Sequence, residues 1–176
     1  MGVVTAFCAV AIAVTFAISA VHKLKGPELF REQLRETLPL PGYLIKTTGY
    51  AIPGAEVAAL AMVLSPYPLA GFALAFVLFL SFTVYLAVII RSGSGASCGC
   101  VGRAAQPASK VHLYRNAVFL LLCLAGGFGA MSEGGVSPVQ YAVAAGPAVP
   151  VGAGLLYLDE LAAFFRPSAA PALRPK

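Results

Sequence analysis

Long apolar runs separated by short polar connectors dominate this chain. Val3 to Val21 is the first run, about Thr48 to Ser65 the second and Leu69 to Ile90 the third. About Asn116 to Met131 is the fourth, and Val139 to Leu158 the fifth. Each approaches the roughly 20 residues that cross the hydrocarbon of a bilayer. Inside lipid every backbone polar group must be satisfied within its own segment, so the runs are predicted to be helices. No Lys or Arg precedes the first run, so it reads as a helix rather than a cleaved signal peptide. The fifth is interrupted by Gly146, Pro147, Pro150, Gly152 and Gly154, and a re-entrant or surface segment is its alternative reading. Between the first two runs the period changes. From Pro27 to Leu38, Leu29, Phe30, Leu34 and Leu38 fall on one side of a helix. Glu28, Arg31, Glu32, Arg35 and Glu36 fall on the other. That pattern predicts a short helix at the membrane interface, ended by Pro39 and Pro41.

Composition agrees with this pattern. Hydrophobic residues make up 59% of the 176 and charged residues only 11%, against roughly 25% charged in soluble domains. The expected fold class is an all-α integral membrane protein, a four-helix transmembrane bundle plus a fifth helix. Residues 1–165 form one polytopic domain, and the Pro- and Ala-rich stretch 166–176 is expected to be a disordered tail. The net charge of +5 carries no basic cluster interleaved with aromatics, so no nucleic-acid partner is expected. All twelve Lys and Arg lie outside the spans, and five spans put every one of them on the same face. By the positive-inside rule that face is cytoplasmic and the N-terminus is outside, in a bacterial inner membrane. With four spans the tail carrying Arg166, Arg174 and Lys176 would change sides and break the pattern.

The densest candidate chemistry lies in the third connector, at Ser97-Cys98-Gly99-Cys100-Val101-Gly102. Two thiols one glycine apart can hold a disulfide, exchange one with a partner, or offer thiolates to a soft metal. Bridging them closes a small, strained ring that is easily reduced. Arg91, Arg103 and Lys110 share the connector, and cationic neighbours lower a thiol pKa. Two inert thiols in a Gly-rich connector are the bland alternative. A zinc site would need further ligands, with His112 and His22 as candidates, although the spacing follows no zinc pattern. Glu56 is the sole ionisable residue inside the predicted spans, so it should face a polar partner. Lys23, His22 and Arg115 are the candidates at helix ends on the same face. A structural ion pair and a proton-handling group both fit that position. Cys8 and Cys123 read as packing residues. Counted from the nearest basic helix ends, they lie about 20 Å and about 12 Å deep, which argues against a disulfide between them. Asn116 is placed to bond across helices.

Several of these residues together resemble the MauE family of methylamine-utilisation membrane proteins, within the wider DoxX-like group. They are Ser19-Ala20-Val21-His22-Lys23-Leu24, Pro53-Gly54-Ala55-Glu56, Cys98-Gly99-Cys100-Val101-Gly102 and Arg115-Asn116. The resemblance covers roughly residues 10 to 130, with Val101 standing where the family usually has phenylalanine. It implies a helical bundle linked to thiol–disulfide chemistry, maturing disulfide-containing partners alongside a thioredoxin-like protein. Cys98 and Cys100 would then carry the exchange, supported by Glu56, Arg115, His22, Lys23 and Arg103, with no cofactor. Membrane lipid and a membrane complex are the other expected partners. Disulfide formation belongs to the oxidising outer side, whereas the charge pattern puts the pair on the inner face. Either the pair is a cytoplasm-facing dithiol or the charge pattern is overridden. Two readings of other classes stay open. One is a non-enzymatic accessory subunit docking through Gly- and Ala-rich helix faces. The other is a small-molecule transporter with Glu56 as the coupling group.

Overall fold

The computed structural model describes residues 2–37, 41–92, 110–133 and 136–158. All six elements are helices: α1 (Gly2–Lys25), α2 (Pro27–Thr37), α3 (Gly42–Val63), α4 (Pro68–Ser92), α5 (Lys110–Glu133) and α6 (Pro138–Leu156). Four of them, α1, α4, α5 and α6, are long and apolar enough to cross a membrane. With 22 residues α3 has the length, but Lys46 and Glu56 lower its apolarity. The fifth apolar run is therefore a helix despite Pro147 and Pro150 in its interior. The short amphipathic helix is α2.

Helix α1 is the centre of the bundle and packs against every other helix, most extensively α6, α3 and α5. Its small residues allow this. Ala6, Ala9, Ala11, Ala13 and Ala20 are all buried, and small side chains let helix backbones approach closely in a membrane. Helix α6 answers with Ala144, Ala148 and Gly152, one turn apart on its buried face. At Gly152 an added Cβ would stand 2.6 Å from the Ala11 carbonyl oxygen. Thr15 strengthens the seam: its Oγ1 donates to the Ala11 carbonyl at 2.9 Å and approaches the Gly152 carbonyl at 3.4 Å. A capping box starts α6. Ser137 Oγ accepts from the Gln140 amide, Gln140 Oε1 accepts from the Ser137 amide, and Pro138 follows the cap.

Successive long helices run in alternate directions. The C-terminal ends of α1 and α4 and the N-terminal ends of α3 and α5 therefore share one end of the bundle, and α2 lies there too. Every described Lys and Arg belongs to this basic end. Helix α2 is fastened across it. Arg31 covers Gly49 of α3, where a Cβ would meet Arg31 Cγ at 2.9 Å. Its guanidinium stacks 4.4 Å from the Tyr50 ring centroid and donates to Glu28 at 2.8 Å. The hydroxyls of Thr37 and Tyr85 pair at 2.6 Å, tying the other end of α2 to α4.

Two helices begin earlier than the apolar pattern predicts. Helix α3 starts six residues before Thr48, because the Pro41-Gly42 junction and not hydropathy sets its first turn. Helix α5 starts at Lys110, about 8 Å before Arg115 along the axis. That corrects the depth argument for the buried cysteines. Cys8 and Cys123 belong to the same core cluster. Gly126, one turn on from Cys123, would place a Cβ 3.0 Å from Cys8 Cβ. Both are free thiols, buried on facing helices. The predicted tail at 166–176 lies outside the described residues.

Candidate functional site

Polar residues from three helices, α1, α3 and α5, converge inside the basic end. On α1, Ser19 and Lys23 are four residues apart and so point the same way. Lys23 Nζ donates to Ser19 Oγ at 2.9 Å, and Ser19 Oγ donates to Glu56 Oε1 of α3 at 3.0 Å. Lys23 also donates directly to Glu56 Oε1. A hydroxyl can give one hydrogen bond while accepting another, so the three side chains close a ring. The Lys23 and Glu56 side chains are 3% and 0% exposed, which makes this a fully desolvated ion pair. Of the three partners considered for Glu56, the fold selects Lys23 and adds Ser19.

Two aromatic faces complete the surroundings of the ammonium. The Phe30 ring of α2 and the Phe82 ring of α4 have centroids 5.3 and 5.0 Å from Lys23 Nζ. Both lie within the range where a ring quadrupole attracts a cation. Upstream on α3, Pro53 has no N–H, so the helix cannot make its usual bond to the Gly49 carbonyl, two turns below Glu56.

Arg115 of α5 is 2% exposed and does not replace Lys23. Its Nη1 donates to the Leu156 carbonyl at 2.9 Å. That carbonyl belongs to the last turn of α6, where helix carbonyls lack intrahelical partners and the macrodipole is negative. Asn116 is also buried, and its Nδ2 makes no hydrogen bond among the described residues. Thr15, Ser19, Glu56, Arg115 and Asn116 surround a cavity of about 20 Å³. That is room for about one water. Its remaining wall is aromatic. Phe16 stacks on Phe79 and Phe79 on Phe119, with centroids 4.8 Å apart in each pair. Phe16, Phe79 and Phe119 each lie one turn further from the basic end than Ser19, Phe82 and Arg115 on the same helices.

The remaining candidates are placed as follows. His22 Nε2 lies 3.4 Å from the Tyr157 hydroxyl, beyond α6, rather than at Glu56. His112 is buried in the first turn of α5. Among the described residues no three His, Cys, Asp or Glu side chains converge on a metal position. Cys98, Cys100 and Arg103 lie outside the described residues, so the zinc alternative with His112 does too. Their segment, 93–109, joins α4 to α5 at the basic end. Ser19, Thr15 and Phe82 drew no notice in the sequence as site residues. Only the Ser19–Lys23 spacing held a signal, a hydroxyl one turn before an intramembrane-edge lysine.

These features define a polytopic helical membrane protein with a buried Lys–Ser–Glu triad at its basic end. Compared with known families, residues 1–129 match the model described as methylamine utilisation protein MauE. The chain belongs to the MauE family. The match spans α1 to α4 and most of α5, including the triad, Arg115, Asn116 and the Cys-Gly-Cys segment, and leaves α6 beyond it. No curated protein and no solved structure matches the chain.

Proposed function

We propose that this protein is a membrane thiol–disulfide exchange protein in methylamine utilisation, acting through Cys98 and Cys100 to support maturation of a partner protein. One observation carries the reading most. The segment holding the paired thiols joins the end of α4 to the start of α5, two helix ends at the basic end of the bundle, where the buried polar cluster also lies. Arg91 stands near one anchor and Lys110 at the other, both exposed at the basic end. Cations there favour the thiolate, which is the attacking species. In the exchange, one thiolate attacks a sulfur of the partner's disulfide. The partner's S–S bond breaks, a mixed disulfide forms and one partner sulfur leaves as thiolate. The second cysteine then attacks the mixed disulfide. The partner departs with both thiols reduced, and Cys98–Cys100 holds the new disulfide. Two electrons have passed to the partner, and a thioredoxin-like dithiol returns them by the same steps.

The triad fits the role of a rigid base for this segment. It fixes α1 to α3 at the basic end, and Arg115 fixes the start of α5 to α6. The basic end faces the cytoplasm of a bacterial inner membrane, with the N-terminus outside, because a cluster of Lys and Arg resists translocation. Reporter fusions at both termini test this orientation, and two termini on one side would exclude five crossings.

The functional test is substitution with trapping. Cys98→Ser and Cys100→Ser should each abolish partner maturation, and one of them should accumulate a mixed disulfide with the partner. A double variant that matures the partner as well as wild type would exclude thiol exchange and favour the accessory-subunit reading. Zinc that co-purifies with wild type and is lost in Cys98→Ser or His112→Ala would instead identify a metal site.

A further inference from the structure

The last turn of α1 and the first turns of α2 enclose a second cavity, of about 240 Å³, at the basic end. His22, Lys23 and Lys25 line it from α1, and Leu29, Phe30 and Gln33 from α2. Lys23 is committed to Glu56. Lys25 differs: it is exposed and makes no ion pair among the described residues. Among the described residues no acidic side chain lines the cavity, and Glu28, the nearest in sequence, is engaged by Arg31. The cavity thus has a positive floor without a local counter-charge of its own.

Apolar side chains lie on and beside it: Leu29, in its lining, is 37% exposed, and Val21 and Leu24, next in sequence to His22 and Lys25 but outside the lining, are 47% and 56% exposed. A cationic floor beside apolar side chains, where a transmembrane helix meets an interfacial one, suits a ligand with an anionic head and hydrocarbon chains. Free phosphate would use the floor and leave the apolar side chains idle. Basic pockets beside transmembrane helices bind anionic headgroups on the same principle. The amides of Glu28 and Leu29, in the first turn of α2, add weakly to the positive field.

We propose that this cavity binds the phosphodiester headgroup of an anionic phospholipid. Lys25 contacts the phosphate, and Leu29, Val21 and Leu24 border the acyl chains. The site is independent of Cys98 and Cys100. Lipid bound there would brace α2 against α1, whose direct contact is otherwise slight.

Native mass spectrometry of the purified full-length protein tests this, with phosphatidylglycerol, phosphatidylcholine and inorganic phosphate as separate probes. Wild type should retain phosphatidylglycerol in preference to phosphatidylcholine. Lys25→Gln should lower phosphatidylglycerol retention about fivefold, the effect of one basic residue near a membrane surface. Lys46→Gln is the control, since Lys46 is exposed at the same end but outside the cavity. It removes the same charge and should change retention little. Equal losses in the two variants would mean diffuse attraction and overturn the proposal, as would equal retention of the two lipids. Lys25-dependent retention of inorganic phosphate that prevents phosphatidylglycerol binding would overturn the lipid assignment in favour of a soluble anion.

Discussion

Glu56→Gln keeps the shape of the side chain and its ability to accept from Ser19, but deletes its charge. Lys23 would then hold an ammonium that is almost wholly removed from water, facing a neutral amide. Breaking a buried ion pair by removing one partner costs about 3–5 kcal/mol, because the remaining charge is desolvated and uncompensated. The two aromatic faces at 5.3 and 5.0 Å recover part of this, so the lower figure is expected. Lys23→Met removes the ammonium instead and leaves Ser19 donating to the carboxylate, so its cost should lie in the same range. The double variant removes both charges and leaves a neutral amide, still accepting from Ser19, beside a thioether, so no uncompensated charge remains buried. Its loss should be far below the sum of the single losses. Unfolding can be followed in detergent through the reaction of maleimide dyes with Cys8 and Cys123, which are 1% and 3% exposed in the fold. A Cys98→Ser, Cys100→Ser background removes the competing thiols. For a chain of this size about 2–4 °C accompanies each kcal/mol, so the single variants should melt about 6–20 °C lower. If the double variant loses as much as the two singles combined, the side chains are not coupled and the triad is not a unit.

Three further outcomes follow from packing. Gly152→Ala drives a methyl into the Ala11 carbonyl and should cost about 1–3 kcal/mol, whereas Gly154→Ala, with nothing within 4 Å, should be neutral or slightly stabilising; thermal melts of the two separate seam packing from helix propensity. Phe79→Ala removes the middle ring of the stack and should cost about 3–5 kcal/mol by the same melts, leaving helix content unchanged by circular dichroism. Arg31→Ala should speed hydrogen exchange in α2 while shifting the melting temperature by less than a few degrees, since the Glu28 pair is largely exposed and what is lost is the clasp over Gly49 and Tyr50.

Hydropathy reveals the long helices because the bilayer fixes their length, and the 3.6 period of Leu29, Phe30 and Leu34 reveals α2. Glu56 could be singled out because a carboxylate inside an apolar run has few explanations. Its partner was narrowed to three residues by charge and depth, but choosing Lys23 over Arg115 needed the packing of α1 on α3. The carbonyl that holds Arg115 comes from the end of α6, and no side-chain pattern marks a backbone acceptor. The proximity of Cys8 and Cys123 was hidden for a similar reason. Their depths depend on where α5 begins, and Lys110 to Tyr114 is too polar to look like part of a span. The family resemblance singled out the Cys-Gly-Cys segment on its residues, and its geometry lies outside the described part of the chain.

The Phe16–Phe79–Phe119 stack works as a stopper. It closes the far wall of the one-water cavity with three parallel rings contributed by three helices, and beyond it the core continues through Ile12, Cys8 and Phe72. Among the described residues, a path from Glu56 toward the far side runs into the ring stack and then Ile12, Cys8 and Phe72. Solute transport requires a binding site that opens to each side in turn, and here opening toward the far side would mean unstacking the rings and parting α1, α4 and α5 together. In the described structure the ion pair therefore sits in a blind alley, open only toward the basic end and closed on the other side by three stacked rings.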